Sequence, residues 1–175
     1  MNMKLIACTP GRHAEAILAI LNEAIVHSTA LYDYQPRSMA QMATWFDTKR
    51  QHGWPVIGME DEAGSLLGFA SYGSFRNFPA YKYSVEHSVY VHQGHRGQGV
   101  GRLLMRALID AARAQGLHML VGVIDSANEG SKHLHADLGF VHGGTLRQAG
   151  FKFGRWLDID FYQLILDTPI DPVDG

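Results

Sequence analysis

Apolar residues recur along this chain with two periods, and the switches between them map its elements. Met3–Cys8 is a short apolar run of strand length. From about Arg12 to His27, Ala14, Ile17, Leu18, Leu21, Ala24 and Ile25 fall on one helical face. Ser38 is placed to cap a second helix that passes through Trp45 and Phe46 and ends near Gly53-Trp54-Pro55. Two β-rich runs, 55–60 and 66–72, flank Asp61-Glu62-Ala63-Gly64 and predict a hairpin. Residues 75–82 are irregular, with Pro79 arguing against a central strand. Over 83–92, period-2 alternation sets Tyr83, Val85, His87, Val89 and Val91 on one face and Glu86, Ser88, Tyr90 and His92 on the other. A helix carrying Val100, Leu103, Leu104, Ala107, Leu108 and Ala111 on one face stops at Gly116. A strand at 118–124, a helix from Ser126 or Asn128 to Leu138, the step Gly139-Phe140-Val141 and a β-rich run over 156–166 follow. The order β-α-α-β-β-β-α-β-α-β-β predicts a mixed α/β sheet domain. No internal repeat or low-complexity linker divides it, so residues 1–175 read as a single domain.

Composition narrows the class. The chain is 46% hydrophobic and 18% charged, ordinary for a globular protein, and 175 residues are enough to bury a sizeable core. Its net charge of −2, with no run of Lys or Arg, argues against a nucleic-acid partner. No apolar stretch has the length of a bilayer span, and MNMKLIACTPGRH lacks the apolar core of a signal peptide. With one cysteine, Cys8, no internal disulfide can form, and the expected setting is the cytoplasm, away from membranes. Cys8 itself reads as a small hydrophobe in the first strand. Ten histidines include His92-x-x-His95 and His133-x-His135, but no cysteine or carboxylate cluster completes either pair. No metal site is expected.

The most informative segment is a strand that enters Gln93-Gly94-His95-Arg96-Gly97-Gln98-Gly99-Val100-Gly101 and leaves as an amphipathic helix. Glycines allow positive φ and close approach of backbone to ligand, and a helix start presents N–H groups and the positive end of its dipole. Such a loop suits phosphate groups. A plain strand-to-helix turn would need one glycine, whereas here Gly94, Gly97, Gly99 and Gly101 surround an arginine. The segment lacks the lysine of a P-loop and the spacing of a dinucleotide fingerprint.

What remains, Arg96-x-x-Gly99-x-Gly101, resembles the R/Q-x-x-G-x-G/A signature of the GNAT superfamily of N-acetyltransferases. Asn128-Glu129-Gly130-Ser131, with Leu134 and Gly139-Phe140, resembles that superfamily's N-x-x-[AS]…GF segment. Further stretches are similar to its phosphinothricin and methionine sulfoximine acetyltransferase branch. These are Ile25–Ala30 with Pro36, Phe75-Arg76 with Pro79-Ala80-Tyr81, Val85–Val91, Leu134-His135, Lys152-x-Gly154-x-Trp156-x-Asp158, and Gln163 before Leu164. The resemblance implies a mostly antiparallel, twisted sheet flanked by helices, with a splayed central strand pair. It also implies acetyl-CoA as co-substrate, a small amino-acid-like acceptor, and a homodimer. Cofactor contacts are implied for Val89, Tyr90 and Val91, for Arg96, Gly97, Gln98, Gly99, Val100 and Gly101, and for Asn128 and Ser131. Acceptor contacts are implied for Phe75, Arg76, Asn77, Tyr81, Glu86 and His87.

The chemistry of amine acylation assigns roles among these. An α-amine attacks only when deprotonated, so a proton acceptor must stand near it. Glu86 interrupts an otherwise apolar-aromatic strand, and partial burial raises a carboxyl pKa toward a useful value. The resemblance gives Glu86 that same role. His135 stands where the wider superfamily places a tyrosine, and an imidazole there is the expected acid for the leaving thiolate. Backbone N–H groups of Val89–Val91 are implied as the stabilisers of the carbonyl oxygen. Arg76, between Phe75 and Tyr81, offers a bidentate cation for the acceptor's carboxylate, with Lys152 and Trp156 as weaker candidates. Nothing calls for a covalent intermediate, and Cys8 lies far in sequence from every motif. Direct transfer in a ternary complex is therefore expected. A non-catalytic acyl-CoA sensor would keep the Arg96 loop without needing Glu86, His135 and Arg76. An enzyme acting on a peptide amine is the other alternative.

Overall fold

The computed structural model describes residues 2–175. Its elements are β1 (Lys4–Ala7), α1 (Pro10–His27), α2 (Met39–His52), β2 (Val56–Glu60), β3 (Leu66–Ser74), β4 (Ser84–Val91), α3 (Val100–Ala114), β5 (Met119–Asp125), α4 (Glu129–Asp137), β6 (Val141–Lys152) and β7 (Arg155–Ile165). Single 3-10 turns occupy Pro79–Tyr81 and Gln93–His95. Local chemistry fixes the boundaries. Pro10 opens α1 two residues before the expected start, because a first-turn proline forfeits no helical hydrogen bond. Ser38 and Gln41 form a reciprocal capping box on α2. The β2–β3 turn is pinned by Asp61 Oδ1, which accepts from the amides of Ala63 and Ser65. Asn128 caps α4 by accepting from the Ser131 amide at 3.1 Å.

The hydrogen-bonded strand order is β1-β2-β3-β4-β5-β7-β6. Pairing is antiparallel for β1–β2, β2–β3, β5–β7 and β6–β7, and parallel for β4–β5. This is the mostly antiparallel α/β sheet that the resemblance implies. Two compact units share the chain: residues 2–72 with 88–108, and residues 73–87 with 109–175. In the first, Ala14, Ile17, Ile20 and Leu21 of α1 pack with Met42 and Phe46 of α2 and with Val56, Leu66 and Phe69 of β2 and β3. In the second, Val85, Leu120, Val121, Phe140 and Leu157 are buried. Among the described residues no helix is long and apolar enough to cross a membrane.

One element departs from the sequence pattern. The sixth strand, expected as the short step at Gly139–Val141, runs over twelve residues, Val141–Lys152. It is an edge strand, exposed at most positions. Its register shifts between His142 and Gly144 and again between Leu146 and Gly150, which erases the period-2 signal.

Candidate active site

Strand β4 orients the central carboxylate. Val85 and His87 turn inward, 2% and 5% exposed, while Glu86 between them faces solvent. Although Glu86 reaches water, the protein around its carboxyl withholds enough solvent to raise its pKa above the ordinary carboxylate value. The parallel ladder to β5 pairs Ser84 with Met119, Val85 with Leu120 and Glu86 with Val121, and ends there. Glu86 is thus the last residue of β4 paired with β5, and β4 runs on past that ladder to Val91.

Immediately beyond the ladder, the His87 imidazole meets His135 of α4, Nε2 to Nε2 at 2.8 Å. The rings stack at 5.1 Å, and the edge of Phe140 closes on both at about 5 Å. His135 is 2% exposed, and its Nδ1 donates to the Ser131 carbonyl at 2.7 Å. Burial drives both imidazole pKa values below the ordinary range; for His87 the neighbouring His135 adds to this, and for His135 the Ser131 carbonyl opposes it. Both rings are neutral at physiological pH. Beneath them lies Gly122 of β5, where a Cβ would stand 2.9 Å from each Nε2. His135, expected as the acid for the leaving thiolate, has both its nitrogens engaged inside the protein. His87, expected to touch the acceptor, is likewise buried with its ring against His135.

In the same unit, Phe75 and Tyr81 meet edge-to-face at 5.7 Å. Ser74 Oγ donates to the Arg76 carbonyl at 2.9 Å, and the turn at Pro79–Tyr81 holds the loop's far end. Arg76 and Asn77 are exposed, and among the described residues Arg76 has no ion-pair partner. Lys152 is buried beside Phe153, whereas Trp156 stands exposed against Phe151. Ser131, in the first turn of α4 and three residues after its capping Asn128, is only half-buried.

The glycine loop belongs to the other unit. Gly97 and Gly99 adopt φ of 76° and 83°, conformations that L side chains rarely take. A Cβ at either would meet nothing within 4 Å, so the loop's glycine edge is open to a ligand. That observation fits a phosphate-bearing cofactor at the start of α3. Val100 is 1% exposed, so its side chain anchors the helix and only its backbone faces the loop. Gln98 donates to the Gly94 carbonyl at 3.3 Å. Arg96 donates through Nε to the Val91 carbonyl and through Nη2 to Glu23 of α1 at 2.6 Å. No sequence motif marks Glu23, because its partner lies 73 residues away. Val89, Tyr90 and Val91 are half-buried. In this unit burial, with help from Glu60, pushes the Cys8 thiol up to about 12, so it stays protonated and is no nucleophile at neutral pH.

Known proteins share this arrangement. The acetyltransferase (GNAT) family matches residues 17–140, and the chain belongs to that family. It is an acetyl-CoA-dependent N-acetyltransferase. An L-methionine sulfoximine/L-methionine sulfone acetyltransferase of Pseudomonas aeruginosa is 49% identical over 86% of this chain and 88% of its own. A structure described as an acetyltransferase from Acinetobacter baylyi is 58% identical, with a TM-score of 0.98 over 99% of this chain and 98% of that one. A phosphinothricin acetyltransferase from Sinorhizobium meliloti, solved with acetyl-CoA, is 34% identical, with a TM-score of 0.94 over 100% of this chain and 95% of that one.

Proposed function

We propose that this enzyme acetylates the α-amino group of a small amino-acid analogue of the methionine sulfoximine, methionine sulfone or phosphinothricin type. The observation that carries the reading is Glu86, a solvent-reaching carboxylate with a raised pKa at the last rung of the β4–β5 ladder. Acetyl-CoA supplies the acetyl group as a thioester. Glu86, directly or through a water, accepts the proton of the acceptor's ammonium as the amine attacks. The backbone amides of Val89–Val91 stabilise the oxygen of the tetrahedral intermediate. Arg76 holds the acceptor's carboxylate beside Phe75 and Tyr81, with Asn77 alongside. The loop from Arg96 to Gly101 takes the pyrophosphate, with Asn128 and Ser131 on the rest of the cofactor. Coenzyme A leaves as a thiolate; thiols have pKa near 8.5, so departure needs no strong acid, and His135 need not supply one. With Cys8 protonated, transfer is direct, in a ternary complex.

The names of the relatives support the acceptor class. That acceptor class and the chain's single cysteine support a detoxifying role in the cytoplasm. Leu146, Phe151, Phe153 and Trp156, all about half exposed or more on β6, β7 and their turn, support a homodimer through this edge. Thiol release from acetyl-CoA with a panel of methionine sulfoximine, methionine sulfone, phosphinothricin, ordinary amino acids, polyamines and a lysine peptide tests the proposal. Turnover confined to the first three is expected. Turnover on the lysine peptide alone would replace it with a peptide acetyltransferase, and tight acetyl-CoA binding without turnover would replace it with a sensor.

A further inference from the structure

The hydrogen bonds around His135 have only one consistent direction. The Ser131 carbonyl can only accept, so His135 Nδ1 carries the proton of that 2.7 Å bond. A neutral His135 then has a bare Nε2, and the 2.8 Å contact makes His87 Nε2 the donor. That leaves His87 Nδ1 a bare nitrogen, buried and without a hydrogen-bond partner. A buried unpaired acceptor is unfavourable, and an aliphatic side chain at position 87 would fill the same space without it. The sequence also gives up a side chain on β5, since any Cβ at Gly122 would strike both imidazoles. Two unfavourable choices converge on one spot, the first residue past the last backbone-paired rung, Glu86 with Val121. Just past the last β4–β5 rung, the imidazole pair ties His87 of β4 to His135 of α4.

We infer that His87 is a positioning residue for acetyl transfer: by donating its only proton to His135, it fixes β4 to α4. Side chains on a strand alternate, so anchoring His87 inward sets the outward direction of the adjacent Glu86. The same bond, continued through His135 to the Ser131 carbonyl, holds the first turns of α4, where Asn128 and Ser131 lie. His87 touches no reacting atom. The inference rests on the reading of Glu86 as the base, so its test has a readout independent of turnover.

Nitrogen-15 NMR of the full chain, labelled at histidine, reads the tautomers directly. We expect His135 protonated at Nδ1 and His87 protonated at Nε2, with His87 unchanged from about pH 8 to about pH 5 and His135 titrating only below the ordinary imidazole value. A proton on His135 Nε2, or titration of either ring near the ordinary value, would overturn the inference. In kinetics, His87→Leu is expected to lower kcat by about tenfold to a hundredfold, the scale of a small misplacement of a catalytic group. His87→Gln, whose amide nitrogen can donate in place of Nε2, is expected to recover most of that loss. A folded His87→Leu enzyme with wild-type kcat, or a His87→Gln enzyme no better than His87→Leu, would overturn it. If His87→Leu fails to fold, the tautomers and the His87→Gln rate still decide. Full activity in Glu86→Gln would remove the base assignment instead, leaving the tautomer result to stand separately.

Discussion

Two buried histidines in this chain meet their surroundings in opposite ways. His13, in α1, accepts the Thr9 amide at Nδ1 and donates from Nε2 to Glu60 on β2, a carboxylate that Arg12 also contacts. Every polar atom of that ring is satisfied, and its partner's charge is balanced. His87 faces another imidazole, can satisfy only one nitrogen, and sits where a neighbouring strand has to be glycine. The first arrangement is a stabilising tie between a helix start and a strand. The second sacrifices stability at the residue next to the proposed base, which is where natural proteins tend to break local rules. Burial of a histidine therefore carries little functional meaning by itself; the completeness of its hydrogen bonding separates the two cases.

The largest effect expected on the catalytic side comes from Glu86→Gln, which removes the proton acceptor and should cut kcat by roughly 10²- to 10⁴-fold in a thiol-release assay. Denaturant melts of that variant should match wild type, since Glu86 is solvent-exposed. On the structural side, Glu60→Leu strands the His13 donor and should lower stability by about 1–3 kcal/mol in the same melts. Its turnover per folded molecule should be unchanged, the mirror image of His87→Leu. A Glu60→Leu enzyme that is stable but slow would erase the contrast between the two histidines.

A subtler effect is the pH dependence of stability. The folded pKa values of His87 and His135 lie below the unfolded value of 6.5. Between those values the unfolded chain binds protons that the folded chain refuses, so stability falls as pH drops below about 6.5 and is fully present above it. Ser131 and Phe140 enclose the pair, and Tyr162 of β7, with its ring 6.2 Å from His135, is the titratable group facing it. Melts at pH 7.5 and pH 5.5 should show a smaller loss in His87→Gln than in wild type, because one depressed imidazole is gone. An equal loss would place the acid sensitivity elsewhere. Smallest of all, Cys8→Ala should leave kcat within about twofold, as expected for a buried, protonated thiol.

Much of this was legible in the sequence where one residue dictates local geometry. Ser38 with Gln41, the alternation through Val85, Glu86 and His87, and Gly97 and Gly99 at positive φ each announce their structure without help from distant chain. The extent of β6 was hidden because two register irregularities and an exposed edge remove its periodicity. His135 was legible as special, but its partner is 48 residues away and on a strand, so nothing local forecast that its nitrogens would turn inward. Glu23 was missed for the same reason. Motifs record which residue types a site collects; the tautomers and partners those residues adopt depend on contacts far along the chain.

The most direct measurement is the pH profile of kcat/KM for acetylation of methionine sulfone, taken side by side for wild type and Glu86→Gln. Wild type should rise with pH through a limb whose midpoint lies above the ordinary carboxylate pKa, and Glu86→Gln should lose that limb along with most of its rate. An unchanged limb at near wild-type rate in Glu86→Gln would contradict the assignment of Glu86 as the base.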